Sequence, residues 1–192
     1  MTMTAEEVIK LIQQGQNERI AWLESSASLQ IIAETLLALA NSHGGTLFLG
    51  LNSKGEVVGI DDTVEYIDKV LQASLMLSPQ LIIPLPQPCK LHGKTIIVTQ
   101  IPRGMPHVYS LEGRYLHRVA HENRPLSPRK LRHLMIERGE LSFEMQATPH
   151  AELDDIDWDK AVEYAKRLGA LGDGDIQTIL LKRGCLVKDG DT

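Results

Sequence analysis

"ALANSHGGTLFLGLNSKGEVVGI", residues 38–60, decides how the chain is read. A helical pattern ends there, Gly44 and Gly45 follow, and an apolar run of strand length leads to a second glycine-marked turn. Such a pair is either a phosphate cradle or a corner between helix and strand. Cradles place their glycines after a strand and before a helix, so that free N–H groups at the helix start face the anion. Here the order is reversed. A helix C-terminus offers unpaired carbonyls and the negative end of the dipole, which repel phosphate. The corner reading follows, with Gly44 or Gly45 in a left-handed conformation. Gly50, inside the apolar run, marks a bulge or the close approach of another backbone. The sequence contains no G-x-x-x-x-G-K-[ST] motif.

Outward from this stretch, the spacing predicts a short amphipathic helix over 4–14 and a strand near 20–23. A helix from Leu29 carries Ile32, Ala33, Leu36 and Ala40 on one face. "TLFLGL" reads as a central strand buried on both faces, and "EVVGI" as its hairpin partner across the "NSKG" turn. A helix over 63–77 precedes a proline-rich extended segment. A hairpin turning at "HG" (92–93) follows, then a strand pair around Tyr109 and Tyr115 joined by "SLEG". Ser127-Pro128 starts a helix, the serine as cap and the proline at the first helical position. After Gly139 the pattern is a linker, then helices capped by Asp157 and Asp175, then "GCLVKDGDT" as the beginning of a strand. The expected fold is α+β: a mixed or antiparallel sheet with helices packed against one face, followed by a small helical extension. The expected division is 1–139 and 140–192, the second part leading into a further domain.

The chain has 192 residues and 43% hydrophobic content, enough for a sizeable core. Its two cysteines are far apart and form no C-x-x-C pair, the N-terminus lacks a secretory pattern, and no apolar run approaches a membrane span. A cytoplasmic protein without a membrane partner is expected. The net charge of −5 conceals a segregation: residues 90–138 hold 10 Lys/Arg against 3 Asp/Glu, while residues 1–89 hold 4 and 10. The middle third also holds five of the seven histidines. Local charge of one sign attracts polyanions whatever the total.

The order helix, "ANSHGG", "TLFLGLNSKGEVVGI", and then "HGKTIIVTQIPRGMPHVYSLEGRYLHRVAHENRPLSPRKLRHL" resembles the Schlafen-type AlbA-like domain over residues 15–138. Ala120 stands where that family usually has glycine, and Ser25-Ser26 replace an aromatic-basic pair. The resemblance implies a nucleic-acid-binding module of bacterial transcriptional regulators, some helicase-related, often followed by an ATP-binding, ATPase-like domain. The same resemblance implies a homodimer.

Two chemistries follow. The first is polyanion binding, most simply of double-stranded DNA through its phosphates. Its candidates are Lys90, Lys94, Arg103, Arg114, Arg118, Arg124, Arg129, Lys130 and Arg132, since arginine contacts phosphate as a fork of donors. Aromatic content is 4%, with no cluster among the basic residues, which argues against a stacking platform for single strands. The rival is a metal-dependent endoribonuclease-like domain, which the resemblance places at Glu18, Glu24 and Asn52, using Mg²⁺ or Mn²⁺; the third position is neutral here. Without that rival no cofactor is expected. A third reading is a dimerisation or protein-interaction module. His117 and His121 fall on a strand and loop with no further soft ligand nearby, so they read as pH-sensitive charges rather than metal ligands. Residues 157–184 read as packing helices, the turn being long for a helix-turn-helix and the segment acidic.

Overall fold

The computed structural model describes residues 3–141, 151–169 and 174–186. The chain divides into two compact units, Met1–Glu140 and Leu141–Thr192.

In the first unit, β2 (Gly45–Leu49) lies inside a mixed sheet of order β1-β2-β4-β3. It pairs in parallel with β1 (Ile20–Leu23) and antiparallel with β4 (Lys94–Ile101). β3 (Gln87–Leu91) closes the far edge through the hairpin turn His92-Gly93. Side chains alternate across a strand. Leu47 and Leu49 therefore join Leu36, Leu37 and Val70 of α2 (Leu29–Ala40) and α3 (Thr63–Leu75), while Phe48 joins Val8 of α1 (Ala5–Gln13) with Trp22 and Ile96. Helices thus cover both faces, where one was expected. The second face is closed by α1, whose stripe of Val8, Leu11 and Ile12 packs there and whose start is fixed by a Thr4–Glu7 capping box.

The glycine corner is dictated by close approach. Gly44 and Gly45 have φ of 68° and 151°. A Cβ on Gly44 would lie 2.5 Å from the Ile101 carbonyl oxygen, and one on Gly45 would overlap the backbone of Arg19. The Gly44 N–H donates to the Leu39 carbonyl at 3.0 Å, closing α2, and two residues on the Thr46 N–H donates to the Arg19 carbonyl at 2.7 Å, opening the sheet. Gly50, at φ 102°, meets the backbone of Gly59.

Two expected pairings are replaced. "EVVGI" forms no strand; only Leu51 and Val57 bridge. Both edges of β2 are already taken by β1 and β4, so the returning segment instead donates from Val58 and Gly59 to the Gly50 carbonyl, and Ile60 donates to Thr95. The "SLEG" turn forms, with Glu112 at φ 52°, but its ladder stops at Leu111–Arg114. Tyr109 is held by the Asn41 side chain and Ser110 pairs with Ser78. The strand pair lies one step later, as β5 (Leu116–Val119) and β6 (Glu122–Pro125), and packs on α2. Its turn carries Ala120 at φ 52° and no positive φ at His121, the pattern that favours glycine at its first central position. α4 (Pro128–Glu137) begins as expected at Ser127.

In the second unit, α5 (Trp158–Arg167) and α6 (Ile176–Lys182) start at their expected aspartate caps and pack through Ala165, Ile176 and Ile179. Of the terminal stretch, residues 184–186 form a turn and a bend rather than a strand, and 187–192 lie outside the described residues, as does 142–150 of the linker.

Gly45→Ala is expected to cost roughly 3 kcal/mol in urea unfolding, from left-handed strain plus overlap with a strand that cannot retreat. Ala120→Gly is expected to raise stability by about 1 kcal/mol, because it removes strain at an exposed turn.

Candidate nucleic-acid interface

The corner that joins α2 to β2 also anchors the segments around a groove. Asn41 is buried at the end of α2. Its Nδ2 donates to the carbonyls of Tyr109 at 2.7 Å and Leu116 at 3.1 Å, and its Oδ1 accepts from the Tyr109 N–H at 2.8 Å. The Ser42 hydroxyl accepts from the Arg118 N–H at 2.9 Å. Arg138, at the end of α4, donates to the Ala40 carbonyl at 2.8 Å and to that of His107. Glu140 accepts from the Val108 N–H at 2.9 Å. β5, the 103–109 segment and α4 are thereby hung from one helix end.

Between them lies an open groove of about 640 Å³. Among the described residues its cations are Arg19, Arg103, Arg118, Lys130 and Arg138 and its carboxylates are Glu18 and Glu137, five against two. His43, His117 and His133 also line it. Among the described residues no Phe, Tyr or Trp does. The groove face of α4 is Lys130, His133, Leu134 and Glu137, a spacing of three and four residues that brings them to one side.

Arg118 is 6% exposed. It lies on the α2-facing side of β5, alternating with the half-buried His117 and Val119. Its guanidinium donates to Asn123 Oδ1 at 2.8 Å and to the carbonyls of Asn17 and Ile20 at 3.2 and 3.4 Å, while Nε has no partner among the described residues. Burial lowers its pKa. Asn123 in turn donates to the buried Thr35 hydroxyl at 3.1 Å. Arg118 thus ties β5 to β6 and to the start of β1, and its charge sits under the groove with no carboxylate hydrogen-bonded to it among the described residues.

The expected basic residues divide. Arg103, Arg118 and Lys130 come together in the groove. Arg124 stands across from His117 in the β5–β6 pair but is ion-paired to Glu122 at 2.7 Å. Arg114 is ion-paired to Glu34 at 3.0 Å. Arg129 and Arg132 lie about 100° and 160° round α4 from Lys130, off the groove face. Lys94 lines a separate recess with Ile9 and Ile12 and donates to the Val57 carbonyl, and Lys90 is on β3. Arg19, His43, His133 and Arg138 were not singled out from the sequence. Arg19 lies outside the basic third, and nothing in one dimension brings it beside α4.

Glu18, Glu24 and Asn52 do not converge. Glu18 precedes β1 and lines the groove, whereas Glu24 follows β1, up to roughly 20 Å of extended chain away. Asn52 closes its own turn, accepting from the N–H groups of Lys54 and Glu56 and donating to the Glu56 carboxylate at 2.7 Å. Among the described residues no group of three or more His, Cys, Asp or Glu is placed to hold a metal ion. None of the described helices is long and apolar enough to cross a membrane.

A mixed sheet between helices, with a cationic groove built on the helix–glycine–strand corner, makes the first unit an α+β domain. The chain belongs to the Schlafen AlbA_2 family: residues 14–127, more than half of its length, match the family model. That span agrees with the resemblance read from the sequence. Among solved structures, the DIP2311 protein from Corynebacterium diphtheriae is similar at 16% identity and a TM-score of 0.54, over 91% of this chain and 35% of that one. This chain therefore spans about a third of that protein. The N-terminal domain of a RecG-related protein from Nitrosomonas europaea is similar at 23% identity and a TM-score of 0.44, over 66% of this chain and 95% of that one. No curated protein matches the chain.

The groove makes stability pH-dependent through His117. Burial, then Lys130 and Arg124, lower its pKa below the ordinary histidine value, with Glu18 opposing. The unfolded chain then binds the proton more readily than the folded one. Stability is full above about pH 6.5 and falls as pH drops from there, until His117 protonates in the fold as well. Urea midpoints measured between about pH 7 and 5 should fall less steeply in His117→Gln than in the parent.

Proposed function

We propose that the first unit is a DNA-binding module that holds the phosphate backbone in this groove. The observation that carries the reading is the convergence of Arg19, Arg103, Lys130 and buried Arg118 from four chain segments into one concavity. Five cations against two carboxylates give the groove a formal excess of three positive charges inside a chain of net charge −5. Guanidinium and ammonium groups in such a concavity displace counterions from phosphates, and this supplies most of the affinity for a nucleic acid whatever its sequence. Membership of the Schlafen AlbA_2 family supports the same reading.

The groove contributes about three phosphate contacts, so the logarithm of affinity should fall with the logarithm of salt at a slope near −3. Duplex DNA titrated at several salt concentrations by fluorescence anisotropy tests this. Lys130→Ala should weaken binding to all sequences alike and reduce the slope by about 1. Glu137→Gln, which removes a like charge from the groove wall, should strengthen binding. Absence of binding at low salt overturns the reading.

A further inference from the structure

The basic residues do not make a track. A face that follows a duplex needs cations spread along the backbone. Here the flanking arginines are neutralised, Arg114 by Glu34 and Arg124 by Glu122, and Arg132 turns away on α4. Five cations from separate chain segments meet in one concavity, whose volume of about 640 Å³ lies in the range of small-ligand sites. Among the described residues no Phe, Tyr or Trp lines it, so it lacks the aromatic platform that tracks a single strand. Its floor covers Arg118, which is 6% exposed and whose guanidinium has no carboxylate partner among the described residues. Buried charges are ordinarily compensated, and an anion in the groove would complete the compensation here.

We propose that the groove seats a phosphomonoester, the phosphate at the end of a nucleic-acid strand, with Arg19, Arg103 and Lys130 as its donors and Arg118 as the fixed charge beneath it. The inference rests on the nucleic-acid reading above and names the phosphate that the site prefers. An internal phosphodiester carries one negative charge, whereas a terminal phosphate carries about 1.5 to 2 near neutral pH and exposes three acceptor oxygens. Convergent donors over a buried charge gain more from the second.

The experiment compares one short duplex in three forms: phosphorylated at the 5′ ends, phosphorylated at the 3′ ends, and with hydroxyls at both. Inorganic phosphate serves as the competitor. The expected result is about tenfold tighter binding of at least one phosphorylated form, from one added charge-assisted contact. In Arg103→Gln and Lys130→Gln, both exposed positions, the preference should collapse to near unity while binding of the hydroxyl-ended duplex falls less. Equal affinity of all three forms overturns the inference and leaves the DNA-binding reading standing. No binding of any form at low salt overturns that reading and the inference with it. Inorganic phosphate should compete for the same donors and erase the preference; a preference that persists at saturating inorganic phosphate places the terminal phosphate outside the groove and overturns the inference.

Discussion

The structure depends on how one helix ends. At the C-terminus of α2, five consecutive residues from Asn41 to Gly45 satisfy the helix and carry the chain into the central strand. They also supply hydrogen bonds to segments that are distant in sequence. Asn41 alone binds partners 68 and 75 residues away. Because those partners are backbone groups, the side chain replaces a strand ladder that Tyr109 would otherwise need. Gly44 and Gly45 make room for Ile101 and Arg19 at distances no Cβ allows. Without this corner the sheet, the β5–β6 pair and the end of α4 would have no common reference.

The groove is a consequence of that arrangement. The helix end that repels anions is capped internally: Arg138 takes the Ala40 carbonyl, and Asn41 and Ser42 turn to β5 and its neighbours. With its carbonyls occupied, the corner becomes the floor of a site whose walls carry cations. Arg118 is central to both roles. Its bonds to Asn123, Asn17 and Ile20 hold the small strand pair to the edge of the main sheet. Its charge, desolvated by the same packing, adds to the potential above it, where low dielectric makes charges act over longer distances than in water.

Much of the fold was legible. The apolar stripes of α1, α2 and α3, the serine and aspartate caps and the "HG" turn gave local signals that depend on only a few neighbouring residues. Pairings were harder to read. "EVVGI" has strand composition, but β2 had no free edge to offer it, and edge occupancy is a property of the assembled sheet. Tyr109 and Tyr115 looked like partners across a turn until Asn41 claimed the first. The candidate site was only partly legible, because a count of basic residues does not say which will meet a carboxylate. Arg114 and Glu34 are 80 residues apart in sequence.

By itself the sequence determined the layer of helices, the identity of the central strand and the glycine corner, because each follows from side-chain periodicity, capping or steric exclusion over a few residues. It also determined that positive charge would gather in the middle third. Tertiary structure alone decided which of those charges are exposed in the groove, which are cancelled and which is buried. Burial and Coulomb pairing depend on distances in space, and folding brought Arg19 to the groove that Lys130 lines while it gave Arg114 and Arg124 to glutamates.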